Sequence, residues 1–481
     1  MRTAIAVLLG ASFVIGSATN AVATSNALDG GFGTGGIVLL GPTPISGILF
    51  QPRAGMAIQD DGKIVLGGRV TSADEQAPGI FAAVGRLNAD GSWDAGFGDH
   101  GVFVLPYASV SAPNGGEIHE VVVMSDHSIL AAGGRYASFG AGDFDTCALM
   151  IKISGTGSLD GIFGPDNSGS FCYDFAPSNG SPSVVHHYEG VLAGSGDSFY
   201  LTMPYTNLTH GAVAHFDASG APVSGFGSNG VAALPEGVVA TMLQPGVNGA
   251  LLAVGGTNRE IHVMRLDSSG GLDSLYGTAG SFVFDTQPVG GIVSPVQSAL
   301  DAQQRLVIAT NDEAGGLDVF PYRIARLTGA GAFDAAFNAS GQQPGYAGFA
   351  TPTVSATPED FLWSVLPLPD GHLFAIGESG FLADGDGATN IALLRLNSDS
   401  SYDASFGAAA HAGWTSLNVY GTADSNNHTR SVVADGAGFA YATIFVNDGN
   451  AQSCAGLIRV IPDRLLDSSF DAPAAAPTCP Q

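Results

Sequence analysis

Short apolar runs separated by turn residues follow one another along the chain in a fixed order. In the first unit, the run from Met56 to Gln59 is followed by the turn residues Asp60–Gly62 and by the β-rich run Lys63–Gly68. A third run, Phe81–Leu87, and a fourth, Val102–Leu105, come next. Runs of this length with turn residues between them indicate antiparallel strands joined by hairpins. We therefore expect each unit to form one four-stranded sheet.

A marker motif of the form Leu-Asp-x-x-Phe-Gly separates the third and fourth runs of each unit. Its aromatic residue recurs at intervals of 50 to 69 residues, at Phe32, Phe97, Phe163, Phe226, Tyr276, Phe337, Phe406 and Phe470. Eight markers bound seven units. A β-helix has much shorter repeats, and a β-sandwich does not repeat its sequence in this way. We predict an all-β fold, a seven-bladed β-propeller of four-stranded antiparallel blades.

The two ends of the chain predict how the ring closes. Gly36–Leu40 follows the first marker and has the character of a fourth strand without its own first three. Ala472–Gln481, after the last marker, is rich in Ala and Pro and is a poor strand. We expect the N-terminal strand to complete the seventh blade, which leaves no exposed terminal edge. Residues 24–481 are then one propeller domain with a short Ala/Pro-rich C-terminal tail.

The units resemble a known bacterial repeat. Leu28–Val38 and Asn88–Val102 each combine Leu-Asp or Trp-Asp with Phe-Gly and a trailing Gly before a β-rich run, and Asp61-Gly62-Lys63 forms the hairpin turn between them. This alternation is similar to the delta-60 repeat, a propeller-forming family, over residues 28 to 471. The resemblance implies the fold and an extracytoplasmic setting. It implies no particular activity.

Charge narrows the range of partners. The chain has 43 Asp and Glu against 16 Lys and Arg, a formal net charge of −27, and its only lysines are Lys63 and Lys152. Binding to nucleic acid depends on clustered Lys and Arg, so we exclude a nucleic-acid partner. The 69 glycines among 481 residues fit a turn-rich all-β chain.

The first residues predict export. Arg2 precedes the apolar run Ala4–Ile15, and Ala21–Ala23 offers small residues for a signal peptidase. We expect a signal peptide over residues 1–23, cleaved near Ala23, and a periplasmic or secreted monomer. No later apolar run has the roughly 20 residues of a membrane-spanning helix, so we expect no membrane insertion.

Four cysteines fit an oxidising compartment. Cys147 lies 16 residues before its marker aromatic and Cys172 lies 9 residues after it; Cys454 and Cys479 are placed in the same way around the last marker. Of the three possible connectivities, the pairs Cys147–Cys172 and Cys454–Cys479 repeat one geometry. We predict these two disulfides.

Candidate binding residues come from the start of each innermost strand. Counting back eight positions from the residue aligned with Gly62 gives Ala54, His119, Glu189, Thr241, Val296, Trp363 and His428, with Arg53, Glu120, His187, Asp360 and Arg430 nearby. We predict a ligand site at this mouth of the channel, because all seven blades converge there. His119, Glu189 and His428 are its core, Trp363 is a stacking wall, and Arg430 binds an anion.

Two classes of function follow. The first is a non-catalytic scaffold that binds protein or glycan, and it is favoured because no hydrolase motif is present. The second is a hydrolase or lyase in the central funnel, with a metal as an optional aid, since His and carboxylate groups together bind metals or exchange protons. Asp384 and Asp386 are weak calcium ligands by composition. We expect no obligatory cofactor.

Overall fold

The chain forms seven four-stranded antiparallel sheets in the computed structural model. The structure describes residues 28–40, 48–72, 79–105, 115–136, 145–173, 190–205, 210–256, 260–285, 293–312, 322–349, 361–381, 388–407, 412–417, 419, 426–447 and 453–462. The predicted signal peptide and the C-terminal tail lie outside these residues. The predicted seven-bladed propeller is confirmed.

The first strand of the described residues is β1 (Ile37–Leu40), which belongs to the last blade. Blades 1 to 3 consist of β2 (Ile48–Ile58), β3 (Ile64–Ser72), β4 (Gly79–Leu87) and β5 (Val102–Val104), then β6 (Gly116–Val123), β7 (Ile129–Tyr136), β8 (Asp145–Ile153) and β9 (Ser170–Tyr173), then β10 (Val191–Ala193), β11 (Phe199–Tyr205), β12 (His210–Phe216) and β13 (Val231–Ala233).

Blades 4 to 6 consist of β14 (Val239–Pro245), β15 (Leu251–Gly256), β16 (Glu260–Leu266) and β17 (Ser281–Asp285), then β18 (Val293–Leu300), β19 (Leu306–Asp312), β20 (Tyr322–Leu327) and β21 (Tyr346–Phe349), then β22 (Phe361–Pro367), β23 (Leu373–Phe381), β24 (Ala388–Leu396) and β25 (Trp414–Leu417). Blade 7 consists of β26 (Asn426–Ala434), β27 (Ala440–Asn447), β28 (Ser453–Val460) and β1.

The first strands of the seven blades form the inner ring. Each packs against the first strand of the next blade, including β26 against β2, where the ring closes. Strand β1 pairs with β28 from Ile37 opposite Ile458 to Leu40 opposite Ala455. The N-terminal strand therefore completes blade 7, as predicted. In the described part of the chain the only helical segments are the short 3₁₀ turns Ser195–Asp197 and Val247–Gly249, and no helix there has the length and apolar character to span a bilayer.

The marker motif performs two structural tasks. Its aromatic ring is buried between blades in every described copy; Phe97, for example, has no exposed surface. The glycine after the ring lies in the left-handed region, with φ 53° at Gly98, where an added Cβ would come within 2.4 Å of the Val102 carbonyl oxygen. The N–H of Gly98 donates to the Thr156 carbonyl of the next blade. The marker is thus a core and inter-blade element.

A partly to fully buried ion pair accompanies the marker in six blades, and we call it the latch. The penultimate residue of the third strand is basic and binds the marker Asp: Arg86–Asp94, Lys152–Asp160, Arg265–Asp273, Arg326–Asp334, Arg395–Asp403 and Arg459–Asp29. In several blades the guanidinium also reaches the next blade, as Arg86 Nη1 does when it donates to the Gly155 carbonyl at 2.7 Å. The latch ties neighbouring blades together.

One predicted disulfide is present within blade 2. Cys147 on β8 and Cys172 on β9 are bonded, with 5.6 Å between their Cα atoms. This joins the third strand of the blade to the fourth, and the predicted pairing of Cys147 with Cys172 is confirmed. Cys454, at the equivalent place on β28, is also in a disulfide. Its predicted partner, Cys479, lies outside the described residues, so that pairing stays a prediction.

The latch makes a stability prediction. Arg326 is 1% exposed and binds Asp334 at 2.8 Å. In Asp334→Asn, the amide oxygen keeps the bond from the Ala336 N–H, but the buried guanidinium loses its counter-charge. We expect the free energy of unfolding to fall by about 3 kcal/mol, measured by denaturant titration. Glu236→Gln, an exposed site without an ion pair in the described residues, is the control and should change it by about 0.5 kcal/mol or less. Equal effects of the two changes would refute a stabilising latch.

Acid should weaken the fold in two steps. Burial lowers the pKa of His215 from its ordinary 6.5, so the unfolded chain takes up a proton first, and stability starts to fall below about pH 6.5.

The second step comes from the latch aspartates. Burial raises the pKa of Asp334, but the Ala336 N–H and Arg326 outweigh burial and hold the pKa below 3.8. The pKa values of Asp94 and Asp403 are lowered in the same way, by hydrogen bonds and a nearby arginine that outweigh burial. Their stabilisation is present above about pH 4 and is lost below it. A denaturation midpoint constant from pH 7 to pH 3 would contradict this.

Candidate functional site

Six of the innermost strands have a β-bulge at a similar level of the channel. Pairing with the second strand breaks register at Arg53–Gly55 in β2, His119 in β6, Thr241 in β14, Val296 in β18, Trp363 in β22 and Arg430–Ser431 in β26. Bulges release a residue from the ladder and redirect its side chain. We call these residues the bulge ring. It lies toward the end of the channel where the innermost strands begin, which we call the entrance mouth.

The bulge ring corrects one predicted alignment. In blade 7, Asp435-Gly436 has the form of the hairpin turn, but the left-handed turn residue is Gly438, with φ 92°. Asp435 instead opens the turn, because its N–H donates to the Phe439 carbonyl. Arg430, rather than His428, therefore occupies the position of His119 and Trp363. His428 lies two residues earlier, paired with Phe445 in the ladder.

Glu378 organises the mouth between blades 6 and 7. This carboxylate is 7% exposed. Its Oε1 accepts a hydrogen bond from the indole Nε1–H of Trp363 at 2.7 Å and one from the backbone N–H of Thr429 at 3.0 Å. Its Oε2 lies 3.0 Å from Nδ1 of His428. Two predicted site residues, Trp363 and His428, thus meet on a glutamate that sequence reasoning did not select.

Arg430 lies beside this glutamate cluster against two aromatic rings. Its guanidinium carbon is 5.8 Å from the ring centroid of Trp363 and 5.8 Å from that of Phe445. These distances are within the range of cation–π attraction. Phe361 extends the aromatic surface, with its ring centroid 4.5 Å from that of Trp363. The predicted stacking wall and the predicted anion-binding residue are therefore neighbours.

A second buried glutamate lies between blades 1 and 2. Oε2 of Glu117 accepts from Nε of Arg53 at 2.7 Å and from Nη1 of Arg69 at 3.2 Å. Nε of Arg69 donates to Gln51 at 2.9 Å. His119 is close as well, with its Nε2 3.5 Å from Oε1 of Glu117. The structure thus places the predicted residue His119 in a cluster with two guanidinium groups.

The two glutamate clusters lie at the same position between neighbouring blades, but the strands that carry the acidic and the basic residue are exchanged. Counting from the hairpin turns, Arg69 and Glu378 hold the same place on the second strand, and Glu117 and His428 hold the same place on the innermost strand of the next blade. The basic member comes from the second strand in blade 1, and from the innermost strand in blade 7. Asn311 holds the same second-strand place in blade 5 and bonds both the N–H and the carbonyl of Leu362 at 2.8 Å. The position is a polar joint between blades.

Below the bulge ring the channel is crossed by a side chain. Oε1 of Gln297 on β18 accepts from the Ser364 hydroxyl at 2.5 Å and from the Val365 N–H at 2.8 Å. Its Nε2 lies 3.5 Å from the Val432 carbonyl oxygen on β26. Gln297 therefore contacts both blade 6 and blade 7, and it narrows the channel under the entrance mouth.

Five of the candidate residues named from the sequence lie outside the part of the chain that the structure describes: His187, Glu189, Asp360, Asp384 and Asp386. No set of three or more His, Cys, Asp or Glu side chains among the described residues has the spacing of a metal site. Sequence reasoning missed Glu117 and Glu378. Glu378 had a visible signal, a charge directly after the apolar run Leu373–Gly377.

A known repeat family matches two parts of the chain. The family described as "Domain of unknown function (DUF5122) beta-propeller" matches residues 59–97 and 368–406. Each match runs from the hairpin turn through the second and third strands to the marker aromatic. These are blades 1 and 6, and they support a β-propeller repeat. No curated protein matches the sequence.

Solved structures with a similar arrangement are distant. A protein of unknown function from Dyadobacter fermentans is 14% identical, with 89% of this chain and 99% of that chain covered and a TM-score of 0.40. An ulvan lyase, described as a new family of polysaccharide lyase, is 11% identical, with 92% and 100% covered and a TM-score of 0.41. Prolyl oligopeptidase B from Galerina marginata is 11% identical, with 84% and 47% covered and a TM-score of 0.39. At these values no activity carries over to this chain.

The Glu378 cluster makes a testable prediction. Glu378→Ala leaves the Trp363 and Thr429 N–H groups without their acceptor, whereas Glu378→Gln keeps an oxygen in place. We expect the alanine variant to be about 2 kcal/mol less stable than the glutamine variant, measured by denaturant titration. The tryptophan emission should shift only in the alanine variant. Equal stabilities would show that the carboxylate does not hold the mouth together.

Proposed function

We propose that this protein is an extracytoplasmic, non-catalytic scaffold of delta-60 repeats that binds a glycan at the entrance mouth between blades 6 and 7. One observation carries the proposal: Trp363 and His428 both contact the buried Glu378, and Arg430 lies against the Trp363 ring. Ligand sites of this kind combine an aromatic wall with a few oriented polar groups. A sugar ring presents an apolar face to such a wall and hydroxyl groups to the polar side chains.

The aromatic wall is held in place before any ligand arrives. The indole N–H of Trp363 is engaged by Glu378, so the ring cannot turn away without losing a buried hydrogen bond. Phe361 packs against one part of the ring and Arg430 lies over it. The His428 side chain is 46% exposed, so it forms part of the surface of the mouth. A fixed wall lowers the entropy cost of binding.

The location outside the cytoplasm is supported by the disulfide between Cys147 and Cys172. Disulfides persist in oxidising compartments and are rare in the cytosol. The predicted signal peptide points the same way. A monomer suffices for the proposed site, since blades 6 and 7 of one chain supply all four side chains.

A second candidate, a hydrolase or lyase, has one observation in its favour. Nδ1 of His428 lies 3.0 Å from Glu378, the arrangement of a base and the group that orients it. Against it, Glu378 already accepts hydrogen bonds from Trp363 and Thr429, which holds it as a structural acceptor. The binding scaffold accounts for all of these contacts without a reaction.

Binding can be measured with a panel of soluble polysaccharides by affinity electrophoresis and calorimetry. We expect at least one polysaccharide to bind, and Trp363→Ala to weaken that binding at least tenfold, because the wall is lost. Trp93→Phe is the control, since Trp93 packs on Phe50 outside the mouth. Absence of binding to every polysaccharide, or equal binding by both variants, would overturn the proposal. Release of shortened or unsaturated products that is lost in His428→Ala would favour the enzyme.

A further inference from the structure

We infer that the ligand of the entrance mouth is an acidic glycan, one that carries carboxylate or sulfate groups, and that Arg430 together with the Arg53–Arg69 pair binds those groups. The inference rests on the proposed function and adds the charge of the ligand. It comes from a difference between the two ends of the channel in how fully basic residues are paired with carboxylates.

Basic residues at the far end of the blades, where the hairpin turns and latches lie, are neutralised. Each described one has an aspartate within ion-pair distance: Lys63, Arg86, Lys152, Arg265, Arg305, Arg326, Arg395 and Arg459. In a chain with 43 acidic and 16 basic residues, a nearby carboxylate is easy to supply. A basic side chain that lacks a nearby carboxylate therefore indicates a place where the protein leaves a positive charge available.

Arg430 is such a side chain. Its contacts within the described residues are the rings of Trp363 and Phe445, and it makes no ion pair or hydrogen bond there. Aromatic rings attract the cation but do not occupy its N–H donors, which face solvent because the residue is exposed. The guanidinium group presents those donors in a planar fork that fits a carboxylate or a sulfate. A negatively charged group on the ligand is the partner that this geometry lacks.

The pair Arg53 and Arg69 has a surplus of charge. Both guanidinium groups bind the same atom, Oε2 of Glu117, so two positive charges face one negative charge. Their side chains are 25% and 24% exposed. Nη1 of Arg53 and Nη2 of Arg69 make no hydrogen bond within the described residues. The cluster can therefore accept a further anion without giving up Glu117.

The two basic positions lie on neighbouring blades. Arg430 and Arg53 both belong to the bulge ring, and their strands, β26 and β2, pack against each other where the ring closes. A polymer with a charge on successive units can contact both, with a sugar face on Trp363. The net charge of −27 opposes such a ligand at long range, but salt screens exposed charges beyond about 8 Å at physiological ionic strength. At short range, the nearby guanidinium groups therefore determine whether an anionic ligand is attracted.

The inference is tested with polymers that share a backbone and differ in charge. The probes are dextran against dextran sulfate, and methyl-esterified against free polygalacturonate. We expect the charged member of at least one pair to bind at least tenfold more tightly, and its affinity to fall as salt rises from 50 to 500 mM. Arg430→Gln should lower that affinity at least tenfold, and Arg430→Lys should lower it less, because the lysine keeps the charge but loses the fork.

A matched control separates a site from general electrostatics. Arg323 is another arginine over an aromatic ring, 5.5 Å from the Tyr346 centroid, on blade 5. Arg323→Gln makes the same change in net charge, and we expect it to alter affinity less than twofold. Equal losses in Arg323→Gln and Arg430→Gln would overturn the assigned site. Equal binding of charged and neutral polymers would overturn the inference and leave the glycan scaffold standing. No binding to any polysaccharide would overturn both.

Discussion

The latch is the interaction on which the rest of the structure depends. The cation at the end of the third strand is 2% to 12% exposed and the marker aspartate is 9% to 24% exposed, and a largely buried charge that loses its partner is costly. The pair therefore fixes where the third strand ends and where the marker turn begins. Because guanidinium groups such as Arg86 and Arg265 also donate to a carbonyl in the next blade, the same pair sets the height of one blade against the next. A closed ring of seven blades requires that all blades lie at the same position along the channel axis, which we call equal heights.

Equal heights also create the candidate site. If the blades were displaced along the channel, the bulges of the innermost strands would not lie at one level, and Trp363 on blade 6 would not meet Arg430 on blade 7. At that level the polar joint between blades takes three forms: an asparagine that bonds backbone in blade 5, a glutamate that gathers an indole and an imidazole in blade 6, and an arginine that binds a glutamate in blade 1. The scaffold is repeated, whereas the chemistry differs from joint to joint.

Blade 3 shows what happens without a latch. Its third strand carries His215 where the other blades carry Arg or Lys, and its marker has Val223 where they have Asp. The imidazole stacks on Tyr200, with ring centroids 4.1 Å apart, and meets the marker ring of Phe226 edge-on at 5.4 Å. Burial lowers the pKa of His215, which favours its neutral form. Aromatic packing thus takes the place of the ion pair, and both positions of the pair hold a different residue in this blade.

The sequence alone determined the number of blades, the order of their strands, the closure by β1 and the pairing of Cys147 with Cys172, because each follows from local patterns repeated at a fixed place in the unit. It also selected Trp363, His119, His428 and Arg430, since polar and aromatic residues at the start of an innermost strand are visible by counting. Only the tertiary structure revealed Glu117 and Glu378 and the correct place of Arg430. Those depend on a hairpin turn that forms two residues later than Asp435-Gly436 suggests, and on contacts between second strands and the next blade. Residues about 50 apart in the chain meet there, and no local pattern records which of them will face each other.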